Sequence, residues 1–162
     1  MTRLAKLGRR IVASALVLAV ACALTVNSCG TVPVRPEGNR LPDCPGSPNC
    51  VNSQDSDADH RVEPLAFDGD PDQAWARLRE VVLAMPRTTL VDSDDRYMHV
   101  VFRTAILRFS DDVQLMLDEG ARVIHLRSAS RLGYSDMGAN RKRVDALRSA
   151  WEAASRDGDA GS

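Results

Sequence analysis

Three consecutive stretches of the chain alternate between apolar and polar residues, and short connections join them. They are Tyr97 to Thr104, Val113 to Leu117 and Arg122 to Ala129. A period of two marks a strand with one buried face. Glu119-Gly120 supplies a hairpin turn between the last two. Thr88 to Val91 is a fourth, shorter candidate, set off by the turn-rich Asp92-Ser93-Asp94-Asp95. Links this short cannot make parallel crossovers, so the sheet must be antiparallel.

Helical spacing brackets these strands. Asp70 before Pro71 reads as an N-cap followed by proline in the first turn. Ala74, Trp75, Leu78, Val81, Val82 and Met85 then form one apolar stripe, and Pro86 ends it. From Ala139 to Ser155 the spacing returns, with Val144, Leu147 and Trp151 on one side. At 162 residues and 44% hydrophobic, the chain has material for one domain with a real core. The expected fold class is α+β: a small antiparallel sheet of about four strands with two helices packed on one face. Residues 44–155 make the domain, and 156–162 read as a flexible polar tail.

Strand parity sorts side chains onto two faces. Met98, Val100, Phe102, Val113, Leu115, Leu117, Ile124 and Leu126 share an apolar face. The other gathers His99, Arg103, Asp112, Gln114, His125 and Arg127, unless a bulge shifts the register. An ordinary wet sheet face is the simplest account of that polar set.

Ahead of the domain, the chain starts with Arg3, Lys6, Arg9 and Arg10, and Ile11 to Val26 then runs without a charge. A basic start, an apolar run and a small-residue end are the parts of a secretory signal. The run is short for a bilayer span, which needs about 20 residues. Val26-Asn27-Ser28-Cys29 resembles a bacterial lipobox. That resemblance implies that residues 1–28 are a lipoprotein signal and that Cys29 carries lipid in the mature protein. Residues 29–43, with Pro33, Pro36, Gly38 and Pro42, then read as a lipidated tether. Four cations leave with the signal, so 17 cations face 22 acids and the formal charge moves from -1 to -5. Membrane contact is therefore expected through the lipid, facing the periplasm or cell exterior.

Export also governs the cysteines. In an oxidising compartment, Cys44 and Cys50 are expected to pair, stabilising the fold by about 2.4 kcal/mol before strain. Redox chemistry and metal binding are the competing readings. A thioredoxin-type site wants two intervening residues, and this pair has five. Zinc wants four ligands, and only His60 stands near. Asp55-Ser56-Asp57-Ala58-Asp59 begins like a calcium loop, but His60 and Ala66 occupy the places of the required Gly and Glu, which leaves a solvated acidic loop. No metal and no cofactor is expected.

The segment Arg127 to Arg143 is too dense in Arg, Ser, Asp and Asn for a plain connector. Together with Cys44-Pro45-Gly46-Ser47-Pro48-Asn49-Cys50-Val51 and Phe109-Ser110-Asp111-Asp112-Val113, it resembles the bacterial and plastid family called domain of unknown function 1499. The likeness covers about residues 41–150. Asn52 and Ser53 follow Val51 where the family often has two serines. The resemblance implies a shared fold and carries no activity with it.

Chemistry must supply the rest. Arg127, Arg131, Arg141 and Arg143 can fork around a carboxylate or phosphate. Ser130 and Ser135 can donate, and the helix starting near Asn140 offers free N–H groups. These residues describe an anion site, with Arg127, Ser130, Arg131, Asn140 and Arg141 as its expected ligand-binding members. The competing reading ties the arginines internally to Asp111, Asp112 and Asp136 as scaffolding. A hydrolase would use Ser135 and Asp136 with a histidine, His125 being the candidate, although Gly133 to Gly138 misses the nucleophile-elbow spacing. Phosphate loop, dinucleotide fingerprint and zinc-helix motifs are absent from the sequence. A charge of -1 and 4% aromatics argue against nucleic acid as a partner. The expected role is an exported envelope lipoprotein binding a protein partner or a small anionic ligand without catalysis. A hydrolase-like enzyme and a purely structural envelope protein are the alternatives.

Overall fold

The computed structural model describes residues 32–159, so the signal reading and Cys29 lie outside the described residues. The element order is β1 (Cys50–Asn52), β2 (Leu65–Ala66), α1 (Pro71–Ala84), β3 (Thr88–Ser93), β4 (Tyr97–Arg103), β5 (Ser110–Asp118), β6 (Val123–Ser130) and α2 (Ala139–Asp159). All strands belong to one antiparallel sheet in the order β1-β6-β5-β4-β3, with β2 also on β6. The fold is α+β, as expected, with six strands instead of about four. The two additional strands are three and two residues long, too short to show a period.

Local chemistry sets the helix ends. The Asp70 carboxylate accepts the Gln73 N–H at 3.0 Å, with Pro71 in the first turn of α1. The second helix runs past Ser155 to Asp159, four residues into the segment read as a tail. Both helices cover one sheet face. Ala74, Trp75, Leu78 and Val82 of α1, with Val144, Leu147 and Trp151 of α2, close over Met98, Val100, Val113, Leu115, Ile124 and Leu126. Each tryptophan ties its indole N–H to a carbonyl at 3.0 Å, Trp75 to Asp94 and Trp151 to Ala66.

A bulge between Leu90 and Asp92 shifts β3, but β4, β5 and β6 pair without interruption. Parity therefore holds across the sheet centre. His99, Gln114 and Arg127 form one row, ending at Asn52 of β1.

That second face is not open to water. His99, Asp112 and Gln114 are at most 3% exposed. The segment read as a tether lies on it from Val34 onward. Leu41 is buried against Tyr97 and Met116. Arg35 sits over the Tyr97 ring and pairs with Asp92 and Asp94. Asn52 Nδ2 donates to the Pro42 carbonyl at 2.9 Å, and Gln54 Nε2 donates to the Asn39 carbonyl at 3.0 Å. Proline content suggested a spacer; one leucine and a few backbone carbonyls make it a strap.

Leu41→Ala should cost about 2–4 kcal/mol, because it empties a buried site between strap and sheet. The urea midpoint of the full chain reads this directly. A cost near zero would mean that the strap does not hold to the sheet.

Candidate functional site

The polar segments singled out in the sequence meet at Asn140, on the helix-covered side. This side chain is fully buried. Its Nδ2 lies 2.8 Å from the Asn49 carbonyl, 2.9 Å from Ser130 Oγ and 2.7 Å from Asp136 Oδ2. Its Oδ1 accepts from Ser128 Oγ and Arg143 Nη1, each at 2.6 Å. Asn49 Nδ2 donates to the Gly133 carbonyl at 2.5 Å. The disulfide loop and the segment entering α2 are thereby fastened to each other. Cys44 and Cys50 are joined, and the Cys44 N–H is held by Asp55 at 3.0 Å.

The expected ligand-binding residues fall in different places. Ser130 and Asn140 belong to the buried junction. Arg143 also joins it, paired with Asp111 and lying over the Phe102 ring. Arg131 is on the strap side, with Nε and Nη2 each 2.8 Å from the Asp112 carboxylate. His99 Nε2 stands 2.7 Å from the same carboxylate. Burial opposes ionisation of Asp112, but hydrogen bonds from Arg131 and His99 outweigh it and hold the pKa below the usual carboxylate value. Arg127 is 9% exposed, and its Nε has no hydrogen-bond partner among the described residues. Burial pushes its pKa down, while Asp112 and Asp55 oppose the shift. Gln114, its cross-strand neighbour, has an unpartnered Oε1.

The helix terminus that sequence offered to an anion is occupied by the protein itself. Asp136 Oδ1 accepts the Gly138 N–H at 2.9 Å, and Oδ2 accepts the Asn140 N–H at 2.7 Å.

Ser135 is exposed and accepts the Met137 N–H at 3.3 Å. His125 stands five residues before the end of β6, about 17 Å of strand from Ser130, and Ser135 lies beyond that end. The two do not form a nucleophile–base pair. His125 instead has Nδ1 3.2 Å from Ser53 Oγ and Nε2 3.7 Å from Asp118. Burial lowers its pKa, with Asp118 opposing. The order serine, histidine, aspartate resembles a triad, but Ser53 is 5% exposed and its oxygen already accepts the Leu126 N–H at 3.0 Å. This contact fastens the strand edge and presents no nucleophile.

The disulfide loop, the acidic loop and the entrance to α2 enclose a cleft of about 320 Å³. Asp57, Asp59, His60, Tyr134, Asp136 and Arg141 are in its lining. Arg141 reaches across it, donating to the Asp59 carbonyl at 2.8 Å and the Arg61 carbonyl at 3.1 Å. His60 is 7% exposed and its Nδ1 lies 2.9 Å from the Cys50 carbonyl. A carbonyl only accepts, so Nδ1 donates to it. Nε2 has no partner among the described residues, and the ring lines the cleft. The acidic loop is internally bonded: Asp55 accepts the Asp57 N–H and Asp57 accepts the Asp59 N–H, each at 3.0 Å. Among the described residues, no group of three metal-ligating side chains comes together.

Residues 40–151 match the family described as Protein of unknown function (DUF1499). The chain belongs to this family. No curated protein matches it. The DUF1499 span contains the whole Asn140 junction and every residue of the cleft, and begins one residue before Leu41. Sequence reading missed His60 and Tyr134 as cleft residues. An exposed aromatic in a glycine-flanked loop was the available signal for Tyr134. His60 had none, since its partner carbonyl is set by the tertiary fold.

The lowered pKa of Asp112 adds stability above the usual carboxylate range, and that stability is lost as pH falls through the lowered value. Asp112→Asn should cost about 2 kcal/mol at neutral pH and flatten the loss of stability below about pH 4. Urea unfolding from neutral to strongly acidic pH measures both; an unchanged acid limb would assign the effect to another group.

Proposed function

We propose that the chain is an exported envelope lipoprotein, anchored through Cys29, whose domain is a non-catalytic binding module with its ligand seat in the cleft around His60. One observation supports the seat above others: His60 lines a cleft walled by the sequence segments most characteristic of the chain, and its Nε2 has no hydrogen-bond partner among the described residues. A hydrogen-bonding group on a ligand can pair with that nitrogen. Asp57 and Asp59 line the cleft with one guanidinium, Arg141, whose N–H groups are engaged by the Asp59 and Arg61 carbonyls. Tyr134, 75% exposed, adds an aromatic face. These groups suit a small ligand carrying a protonated amine. The anchor reading is supported by the basic start, the apolar run and Val26-Asn27-Ser28-Cys29. No helix among the described residues is long and apolar enough to cross a membrane.

A second reading keeps the anionic ligand. Arg127 is a buried cation with an unpartnered Nε, which a small anion entering beneath the strap would satisfy.

Thermal unfolding of the full chain separates the two. A diamine at a hundred times its dissociation constant should stabilise by about 2.7 kcal/mol. Asp59→Asn should weaken that response while leaving the ligand-free melting temperature unchanged. Stabilisation by phosphate or succinate, lost in Arg127→Met, would favour the anion. No response to either would leave a structural role. Separately, mass spectrometry should find the mature chain starting at an acylated Cys29, and Cys29→Ser should abolish acylation. An intact residue 1 on the native chain would refute the anchor.

A further inference from the structure

We propose that the end of the sheet bearing Ile106, Leu107, Phe109, Leu132 and Tyr134 is a second, protein-borne membrane contact that dips into an anionic lipid surface. Neighbours β4 and β6 flank β5 and run in the same direction, so the loops after Arg103 and after Ser130 leave from one end. Phe109 and Leu132 line one small cavity there, which shows that the two loops adjoin. Ile106 is 89% exposed, Leu107 68%, Tyr134 75%, and Phe109 and Leu132 45% each. Isolated exposed apolar residues are ordinary, but five on two adjoining loop tips are not.

Charge selects the occupant. Arg103 and Arg108 are exposed beside the tips, and exposed Arg87 lies against Arg103: its carbonyl accepts the Arg103 N–H at 3.1 Å and its Nε donates to the Arg103 carbonyl at 3.0 Å. Thr104 to Ser110 contains no acid. Asp136, in the other loop, is engaged in capping α2. A chain that is formally -5 from Cys29 onward thus presents cations with aliphatic and aromatic tips at this one end. That combination matches an interfacial layer of anionic headgroups over acyl chains. Protruding tips also need no shaped partner in a fluid bilayer, whereas a protein interface needs complementarity.

The strap adds a length argument that rests on the Cys29 anchor. The strap holds the sheet from about Val34, where its carbonyl accepts from Gln114. Between Cys29 and Val34 a fully extended chain spans at most about 18 Å. An acylated Cys29 would keep the domain against the bilayer, so one of its surfaces must face lipid.

The test uses the full chain reconstituted in vesicles, with Leu107→Trp as a depth probe and Glu119→Trp, in the β5–β6 turn at the opposite end, as its control. Brominated acyl chains should quench Leu107→Trp at least twofold more than Glu119→Trp. Adding Arg108→Glu should reduce that difference, as should replacing anionic lipid with neutral lipid. Equal quenching at the two positions overturns the proposal, even where vesicle flotation shows the chain anchored. A blue shift of Leu107→Trp that rises with protein concentration in detergent alone also overturns it, since the tips would then pair with a second copy. Because flotation reports the anchor and quenching reports the tips, failure of one is distinguishable from failure of the other.

Discussion

A single buried amide organises the part of this fold where function is to be sought. Asn140 has two N–H donors and one carbonyl acceptor on its side chain, and all of them are engaged away from water. Its partners come from the disulfide loop, from β6 and from both sides of the α2 entrance. β6 is fixed by the core through Ile124 and Leu126, and the junction ties the two loops to it. Asn49 and Gly133 add a second tie between the same two loops. With those loops fixed, Cys50, Asp136, Gly138 and Arg141 stand where they wall the cleft, and His60 is locked onto the Cys50 carbonyl behind it.

The sheet divides labour between its faces. Under the helices, side chains pack by size, and Asp111 is tolerated there because Arg143 meets it. Under the strap, packing is polar. Asp112 stays ionised in a buried place because Arg131 grips both oxygens and His99 adds a third contact. Arg127 Nε and Gln114 Oε1 are the exceptions on that face, a donor and an acceptor on cross-strand neighbours without partners among the described residues. Such atoms are rare in finished interiors, which is why Arg127 sustains a second reading of function.

Much of the framework was legible in the sequence because its causes are local. The Asp70-Pro71 start of α1, the period-two runs and the sorting of residues onto two faces follow from backbone geometry alone. β1 and β2 were not legible, since two or three residues carry no period and they exist only because β6 offers an edge. The strap was hidden by its prolines, its one informative residue being Leu41. The arginines show the limit most clearly. Arg141 and Arg143 look alike in the chain, yet they are about 200° apart around the helix. One bridges carbonyls at the surface, and the other binds Asp111, Asn140 and Ser128 inside. Side-chain type named the chemistry, and only the fold could name the partner.

Urea unfolding of Asn140→Ala beside Arg141→Ala in the full chain tests most directly whether the junction holds the cleft. Loss of the amide removes its contacts with the Asn49 carbonyl, Ser130 Oγ, Ser128 Oγ and Arg143 Nη1 from a buried place, and should cost about 3 kcal/mol. Arg141→Ala, at an exposed position, should cost less than about 1 kcal/mol. Equal and small costs for the two would contradict the central role of Asn140 and return the polar segment to the surface.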